Sequence, residues 1–286
     1  MKPLEILKKA QENHYAVGQF NVSTAEQIKA IIETAQILKS PLIIATSESE
    51  RSFLGAKQVI ALIDFWRQET GLPIILNADH CKSFESAKEA IDLGYDMVQF
   101  DGSNLTLEEN IKKTKQVLDY AKKKNPQIVI EAELGYLRGS SEIHKKKIEI
   151  KEDDLTKPEE AKEFVAQTAI DALAVVIGNV HGIQAESKKL FLDRLKEIQK
   201  AVPKTLLVLH GGSDTQEQDI KAAIKLGIVK ININTELRVA YSRALEREIA
   251  EHPEEVKPYK ILAPAMEETK KIVAKKIELF GTANKA

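Results

Sequence analysis

Three of the six histidines in this chain follow short apolar runs that are typical of buried strands. His80 follows LPIILNAD, His181 follows ALAVVIGNV and His210 follows TLLVL. Imidazole nitrogen is a good ligand for zinc, and three protein ligands leave the open coordination position that a catalytic zinc needs. If these strand ends converge, the sequence predicts a metal centre. Each histidine alone could instead close a loop through a hydrogen bond.

Asp79 lies directly beside His80, where the apolar run ends and the chain turns into a loop. At such a turn, one residue can bind a metal while its neighbour reaches over the substrate. A carboxylate beside a metal-polarised carbonyl can shuttle a proton, so Asp79 is a candidate acid–base group. The alternative is that Asp79 caps the helix that begins near Ser83.

Two consecutive apolar runs end in segments suited to phosphate, HGGS (His210 to Ser213) and NINT (Asn232 to Thr235). Glycines let backbone N–H groups approach a phosphate, and the following helix presents its positive N-terminus. A tight turn would also require glycine. Lys230 shares strand parity with Asn232 and lies deeper, so we interpret it as a buried lysine with a charge partner rather than a Schiff-base lysine.

These residues need a scaffold that brings several strand ends together. Eight short apolar runs alternate with stretches of helical period, which indicates a parallel sheet buried on both faces. Eight such units predict a single-domain (β/α)8 TIM barrel over residues 1–286, with an extra C-terminal helix from about Pro264 to Phe280. A doubly wound open sheet is the alternative. The long polar segment from Tyr136 to about Lys151 is expected to act as a lid.

Composition excludes several classes of partner. Lysine and arginine (42) balance aspartate and glutamate (43), so a net charge of −1 gives no electrostatic footprint for nucleic acid or anionic membranes. No apolar run approaches the ~18 residues of a membrane span, and the N-terminal stretch lacks the apolar core of a signal peptide. Cys81 is the single cysteine, which excludes an intrachain disulfide. We therefore expect a cytoplasmic protein with a small-molecule partner.

Six motifs in register carry a family resemblance: NADHCKSFESA, VQFDGS, EAELG, GNVHG, VLHGGSD and KININTELR. Together they resemble the zinc-dependent class II fructose-bisphosphate aldolases and their tagatose-bisphosphate relatives, over essentially the whole chain. The resemblance implies a (β/α)8 barrel that forms homodimers or homotetramers. It also implies reversible cleavage of a ketose bisphosphate into dihydroxyacetone phosphate and glyceraldehyde 3-phosphate, through an enediolate whose charge zinc stabilises.

The resemblance also assigns roles to individual residues. Asp79 matches the aspartate that exchanges a proton with the hydroxyl at the breaking carbon–carbon bond, and Asn232 matches a group that binds the enediolate. The residues that match metal-site positions are His80, His181, His210, Asp101 and Glu133. The residues expected to bind substrate, by the match or by their place at strand ends, are Asn21, Ser47, Gly182, Gly211, Gly212, Ser213, Asn232, Asn234, Thr235 and Arg238. Zinc is the expected ion, cobalt is an alternative, and a monovalent cation (Na⁺ or K⁺) is expected beside the phosphate.

Two positions depart from the family pattern. The glutamate that moves the substrate's C–H proton is replaced by Ser141, and Glu142 follows one place later, so we assign that step to Glu142. A lysine that reaches a phosphate is replaced by Ala185. Both changes leave the aldolase reading intact and bring fructose bisphosphate itself into question. The alternatives are an aldolase for tagatose bisphosphate or another phosphorylated or sulfonated ketose, a non-catalytic sugar-phosphate-binding protein, and a zinc hydrolase.

Overall fold

The chain forms a closed barrel of eight parallel strands in this computed structural model, which describes residues 2–286. The strands are β1 (Val17–Asn21), β2 (Leu42–Thr46), β3 (Ile74–Cys81), β4 (Met97–Phe100), β5 (Val129–Leu134), β6 (Ala172–Val175), β7 (Leu206–Leu209) and β8 (Ile228–Ile233). They pair in chain order, and β1 pairs with β8 to close the barrel. The predicted TIM barrel is therefore confirmed, and the open-sheet alternative is wrong.

Helices cover the outside and the amino end of the barrel. They are α1 (Pro3–Glu12), α2 (Ala25–Ile37), α3 (Glu48–Leu54), α4 (Ala56–Thr70), α5 (Phe84–Leu93), α6 (Leu107–Lys124), α7 (Pro158–Thr168), α8 (Leu192–Ala201), α9 (Glu217–Lys225), α10 (Thr235–Glu251), α11 (Pro258–Ile261) and α12 (Ala263–Phe280). Local signals set several of their ends. The side chains of Thr24 and Thr106 accept backbone N–H groups at helix N-termini, and Gly71 and Gly94 end helices in the left-handed conformation.

The first and last helices complete the barrel. Ile6, Leu7 and Ala10 of α1 pack with the apolar side chains at the amino end of the barrel and close that end. The predicted C-terminal helix is present as α12, which packs against α2 and α10. The Phe280 carbonyl accepts a hydrogen bond from the Ala16 N–H, just before β1. Within residues 2–286, no helix combines the length and apolar character needed to cross a membrane.

The barrel interior consists of layers with different chemistry. The layer next to α1 is apolar and includes Val17, Ile75, Met97 and Val129. Side chains alternate between the two faces of a strand, so the residues two places further on also point inward. These are the fully buried polar residues Gln19, Asn77, Gln99 and Glu131. Another two places further stand Asn21, Asp79, Asp101 and Glu133, at the carboxyl ends of the strands.

The lid, defined as Tyr136–Lys151, follows β5 and has no regular helix or strand. It is joined to the connection between β6 and α8 by backbone hydrogen bonds. Ile183 N–H donates to the Glu142 carbonyl (2.9 Å), and His144 N–H donates to the Ile183 carbonyl (2.7 Å). Closer to the barrel, His181 N–H donates to the Arg138 carbonyl (2.8 Å). The lid and the segment that carries His181 are therefore tied together.

Candidate metal centre and active site

A bulge at the end of β3 lets Asp79 and His80 face the same cavity although they are neighbours. The pairing of β3 with β4 shifts register between Ala78 and Cys81, and His80 has φ of +48°, in the left-handed region. This conformation is uncommon for a residue other than glycine. In a regular strand, neighbouring side chains point to opposite faces, and the bulge at His80 turns its side chain to the same side as that of Asp79. The His80 N–H donates to the Gln99 side-chain oxygen (2.5 Å), which holds the turn in place.

The three predicted histidines converge at the carboxyl end of the barrel. His80 Nε2 lies 3.3 Å from His210 Nδ1, and the His80 and His181 ring centroids are 5.0 Å apart. One ring nitrogen from each of the three lies within 4.8 Å of the others, which is close enough for all three to bind one ion. This geometry agrees with the predicted three-histidine site, and His80 and His181 of the set line the cavity.

Carboxylates hold the remaining ring nitrogens of two of these histidines. His80 Nδ1 lies 3.0 Å from Asp101 Oδ2, and His210 Nε2 lies 2.7 Å from Glu131 Oε1. Such contacts fix the orientation of a metal-binding imidazole and make it a better ligand. His80, Asp101 and Glu133 also form a second group whose ligand atoms lie within 4.8 Å of one another. Asp101 and Glu133 therefore lie where the sequence comparison predicted acidic residues of the metal site.

The charges in this cluster suit a divalent cation. Burial acts to lower the pKa of His80, but the carboxylates of Asp79, Asp101 and Glu133 outweigh it and raise the pKa to about 10. Burial raises the pKa of Glu133 to about 8, helped by the charge of Asp101. Burial and the neighbouring cations keep the pKa of His181 well below its usual value, so this imidazole is neutral, as a ligand must be. The donor set therefore attracts positive charge and fits zinc or cobalt.

Asp79 is held in place by side-chain amides and kept ionised by nearby positive charges. Its oxygens accept hydrogen bonds from Gln19 (3.0 Å), Asn21 (3.0 Å) and Asn232 (3.3 Å). Burial alone would raise the pKa of Asp79, but the positive charges around it and the Asn21 hydrogen bond lower the pKa well below the usual range. The cap of α5 is Ser83, whose hydroxyl accepts the Ser86 N–H. Asp79 therefore does not cap the helix.

Glu131 is a supporting residue, a strand-end carboxylate to which the sequence pattern assigned no role. Besides its contact with His210, it accepts a hydrogen bond from Lys230 Nζ at 2.8 Å, and both side chains are fully buried. Lys230 thus has the predicted charge partner, beneath the metal centre rather than among the residues that line the cavity. Glu131 lies two places before Glu133 on β5, so both side chains point into the barrel, and this spacing was the available signal for Glu131. The same spacing relates Gln19 to Asn21 on β1.

The two segments suited to phosphate border a cavity of about 410 Å³ above the histidines. We call His210–Ser213 the phosphate-type loop. The predicted residues that line it on this side are Gly182, Gly211, Ser213, Asn232, Asn234 and Thr235. The side chain of Asn234 does not cap α10, and the Ser213 hydroxyl accepts the Glu236 N–H there (3.3 Å). The side-chain oxygens of Asn232 and Asn234 are buried without a hydrogen-bond partner. The site therefore offers both N–H donors and free acceptors to a hydroxylated anion.

Gly212, which is predicted to bind substrate, lies behind the residues that line the cavity. Its N–H donates to the Asn232 carbonyl (3.0 Å), and it is not among the residues that line the cavity. A Cβ atom at this position would lie 2.5 Å from Ile231 Cγ2, so close packing on β8 explains the glycine. Gly211, in contrast, has φ of +62° and does border the cavity.

The opposite side of the cavity is organised by Glu50, which the sequence did not single out. Its carboxylate accepts hydrogen bonds from Arg238 (2.7 Å), Asn21 (3.0 Å) and the Ser47 N–H (2.7 Å). The predicted residues Ser47 and Arg238 both line the cavity here, with Lys82 beside them. The spacing of Ser47 and Glu50 is a helix capping box, a signal that was visible in the sequence.

His181 lies beyond the end of its strand, which corrects the predicted strand end. β6 ends at Val175. Beyond this point the side chain of Asn179 makes hydrogen bonds to backbone groups in place of a neighbouring strand. The Asn179 side-chain oxygen accepts the Ile177 N–H (2.7 Å), and its amide donates to the carbonyls of Val175 (3.2 Å) and His210 (3.1 Å). This loop reaches across to β7, so His181 still meets the other histidines.

Glu142 does not point into the cavity. Its side chain is exposed, and the lid residues nearest the cavity include Ser140 and Ser141 instead. The Glu142 carbonyl is engaged by the Ile183 N–H. In this arrangement the C–H proton step that we assigned to Glu142 would need a movement of the lid.

The fold and this site define a class of protein: a (β/α)8 barrel with a candidate metal centre and an anion-binding cavity at the carboxyl ends of its strands. Comparison with known proteins then gives the family. The family model described as class II fructose-bisphosphate aldolase matches residues 1–285. The chain belongs to this family.

Individual relatives differ in their named substrates. The chain is 38% identical over 281 residues to a sulfofructosephosphate aldolase of Alkalicoccus urumqiensis, covering 98% of this chain and 96% of that protein. It is 37% identical over 308 residues to a fructose-bisphosphate aldolase of Thermus caldophilus, covering 99% and 98%. Among solved structures, the YdjI aldolase of Escherichia coli K12 matches with a TM-score of 0.83 and 32% identity, covering 99% and 98%.

Proposed function

We propose that this protein is a metal-dependent aldolase that reversibly cleaves fructose 1,6-bisphosphate into dihydroxyacetone phosphate and glyceraldehyde 3-phosphate. The observation that carries the proposal is one cavity that joins three convergent histidine nitrogens, an ionised Asp79 and a phosphate-type loop. A zinc hydrolase would have little use for Asn232, whose unpartnered oxygen suits a hydroxyl of a bound three-carbon phosphate.

In this proposal His80, His181 and His210 hold zinc, and Asp101 and Glu133 supply an alternative or second position. Zinc, when bound, supplies Lewis-acid stabilisation of negative charge on the substrate oxygens. Cobalt has the same ligand preferences and is the alternative ion. Glu131 and Asp101 keep two of the imidazoles in the orientation that binding requires.

The other residues bind the substrate and move its protons. In cleavage, Asp79 takes the proton from the hydroxyl of the carbon that becomes the aldehyde, and in condensation it returns that proton. Gly211, Ser213 and Thr235 bind the phosphate at the N-terminus of α10. When the lid closes, Glu142 delivers a proton to the three-carbon fragment, and lid closure also excludes water.

A second substrate class is favoured by the far side of the cavity. Arg238 is paired with Glu50 at 2.7 Å, so part of its charge is already neutralised before a substrate arrives. A sulfonate carries one negative charge and requires less compensation than a phosphate dianion. A 6-sulfonated ketose 1-phosphate is therefore the second candidate, in line with the named activity of the Alkalicoccus relative. Tagatose bisphosphate is a further ketose with the same two anionic ends.

A panel of substrates tests the proposal. Release of dihydroxyacetone phosphate is measured with fructose bisphosphate, tagatose bisphosphate and a sulfonated ketose phosphate, with and without a chelator. We expect chelator-sensitive release with at least one of them, and the ratio of kcat/KM values assigns the substrate. Binding of all three without release would instead support the non-catalytic alternative, and release of inorganic phosphate alone would support a hydrolase.

We further propose that the protein works in the cytoplasm as a homodimer or homotetramer. Several large apolar side chains are exposed, among them Ile37, Phe53, Val256 and Tyr259, each more than 70% accessible. Such side chains are candidates for burial between subunits. Light scattering coupled to size exclusion should give a mass of two or four chains, and a mass of one chain would contradict this assembly.

A further inference from the structure

A buried lysine lies behind the phosphate-type loop and is not used by the chemistry described so far. Lys188 is 2% exposed, and its Nζ donates to the carbonyl oxygens of Gly211 (3.0 Å) and Ser213 (2.6 Å). We propose that the Lys188 ammonium is a built-in monovalent cation that takes the place of the Na⁺ or K⁺ expected beside the phosphate. This inference rests on the proposed phosphate site.

The position of Lys188 meets the requirements of a cation site. Backbone carbonyl oxygens are the groups that hold K⁺ in proteins, and here the carbonyls of the phosphate-type loop already bind an ammonium. Gly211 and Ser213 themselves line the cavity, whereas Lys188 is not among the lining residues. The positive charge therefore lies behind the loop, separated from a bound phosphate by these residues. A free cation bound to the same carbonyl oxygens would lie beside the Lys188 ammonium and be repelled by it.

The surrounding charges leave the ammonium available to an anion in the cavity. No ion pair within residues 2–286 places a carboxylate oxygen within 4.0 Å of Lys188 Nζ. The nearest charged groups on the packed elements are Asp214, Glu236 and Lys276. Glu236 is committed to Lys276 at 2.7 Å and also accepts the Asp214 N–H. Burying an ammonium without a direct counter-ion is costly, so its retention is explained if a bound anion completes the pair.

The same arrangement accounts for a departure from the family pattern. Ala185 stands where the family pattern described above has a lysine that reaches a phosphate, and its side chain is exposed here. Lys188, three residues later on the same connection, brings a positive charge to the loop from the opposite side. Lys188 would thus keep a cation near the phosphate in a chain that has alanine at position 185.

The test measures phosphate binding and cation dependence together. Binding of inorganic phosphate to the purified protein is followed by calorimetry in buffers containing K⁺, Na⁺ or only tetramethylammonium, and ketose cleavage is assayed in the same buffers. We expect the parent protein to be insensitive to the cation. Lys188→Met should bind phosphate about tenfold more weakly in tetramethylammonium and should recover part of the affinity in K⁺ or NH₄⁺. Lys189→Met, the same change at the exposed neighbour, should behave as the parent.

Each outcome decides the question. Activation of the parent protein by K⁺ or Na⁺ would overturn the inference, even if Lys188→Met fails to fold. A folded Lys188→Met with lower phosphate affinity that no small cation restores would also overturn it, because a merely structural lysine predicts that result. If the parent binds phosphate without K⁺ or Na⁺, Lys188→Met is rescued by them, and no ketose is cleaved, the proposed aldolase function fails while this inference stands.

Discussion

Asp79 is the single residue on which the proposed proton transfer most depends. The side-chain amides of Gln19 and Asn21 on β1 and of Asn232 on β8 donate hydrogen bonds to its two oxygens. The amides therefore fix the carboxylate in direction, and the positive charges around it lower its pKa and keep it ionised. Removing its charge while keeping its shape separates its chemical role from its role in packing.

Asp79→Asn should lower turnover by about 10²-fold or more, the upper part of the range for general acid–base catalysis. Metal content should remain that of the parent, because the three histidines are unchanged. Steady-state kinetics and metal analysis on the same preparation check both statements. Parent-like turnover in Asp79→Asn would contradict the assignment.

Ser83→Ala is the matched control, because Ser83 caps α5 and the alternative role of Asp79 was to cap this helix. Loss of the cap should cost about 1 kcal/mol of the free energy of unfolding. Turnover should stay at the parent value, so the two variants should show opposite patterns of activity and stability.

Lys188 should make phosphate binding depend on pH. Burial lowers the pKa of Lys188 to about 8, opposed by Asp214 and Glu236 and assisted by Lys276. The ammonium is present below this pH and is lost above it, so affinity for inorganic phosphate should fall from about pH 7.5 to about pH 9.5. A bound anion favours the ammonium and shifts the fall to higher pH. Calorimetry across this range checks the direction, and Lys188→Met should lack this part of the decline.

Strand alternation is the element-level rule that made most of the site predictable. Each strand-end residue of the site lies four places after a residue of the apolar layer next to α1, and the motifs that contain these residues are readable in the sequence. The residues are Asn21, Asp79, Asp101 and Glu133. Their supporting partners are harder to predict, because Gln19 meets Asp79 across 60 residues of chain. The alternation of residue types along a strand predicts which face of the sheet a side chain lies on. It does not predict which side chain from another strand will contact it.

Two local irregularities were beyond the reach of the sequence patterns. The bulge in β3 requires His80 in a left-handed conformation, and histidine gives no strong signal for it. The early end of β6 depends on Asn179, whose side chain bonds to Val175 and to His210. Both features are set by tertiary contacts that outweigh the local preference of an apolar run.

The lid is the element whose movement the proposed reaction needs. Glu142→Ala should slow the exchange of a C–H hydrogen of dihydroxyacetone phosphate with solvent deuterium by about 10²-fold. Zinc affinity and inorganic phosphate binding should stay near parent values, because the Glu142 side chain contacts neither site in this conformation. Nuclear magnetic resonance of the substrate follows the exchange directly.

Glu149→Ala provides the comparison within the same loop, because Glu149 is also an exposed glutamate of the lid. It should exchange at the parent rate. Normal exchange in Glu142→Ala would move the step to another group, with Glu133 or a water molecule as the next candidate.

Over the whole molecule, a bound metal would connect β3, β7 and the loop after β6. A ligand that binds only the folded state stabilises it by about 2.7 kcal/mol at a concentration of 100 times Kd. Chelation should therefore abolish cleavage and lower the Tm, and zinc or cobalt should restore both. His80→Ala should lose the metal and the activity, and its Tm should no longer respond to zinc.

The same preparations exclude or establish Schiff-base chemistry. Borohydride added with substrate should leave activity intact, because Lys230 is buried in its ion pair with Glu131. Covalent trapping of substrate on Lys230 would contradict the metal-dependent mechanism.

The backbone hydrogen bonds between the lid and the loop around His181 carry a consequence for how long the ion stays bound. The N–H groups of His181 and Ile183 donate to Arg138 and Glu142, so lid contacts flank this histidine on both sides. A lid movement that brings Glu142 into the cavity would disturb these contacts next to a metal ligand, and product and ion would leave past the same segment. We expect the metal to dissociate more slowly when substrate fills the cavity than when the cavity is empty. An enzyme in use would therefore keep its metal when free metal is scarce, and an enzyme without substrate would lose it.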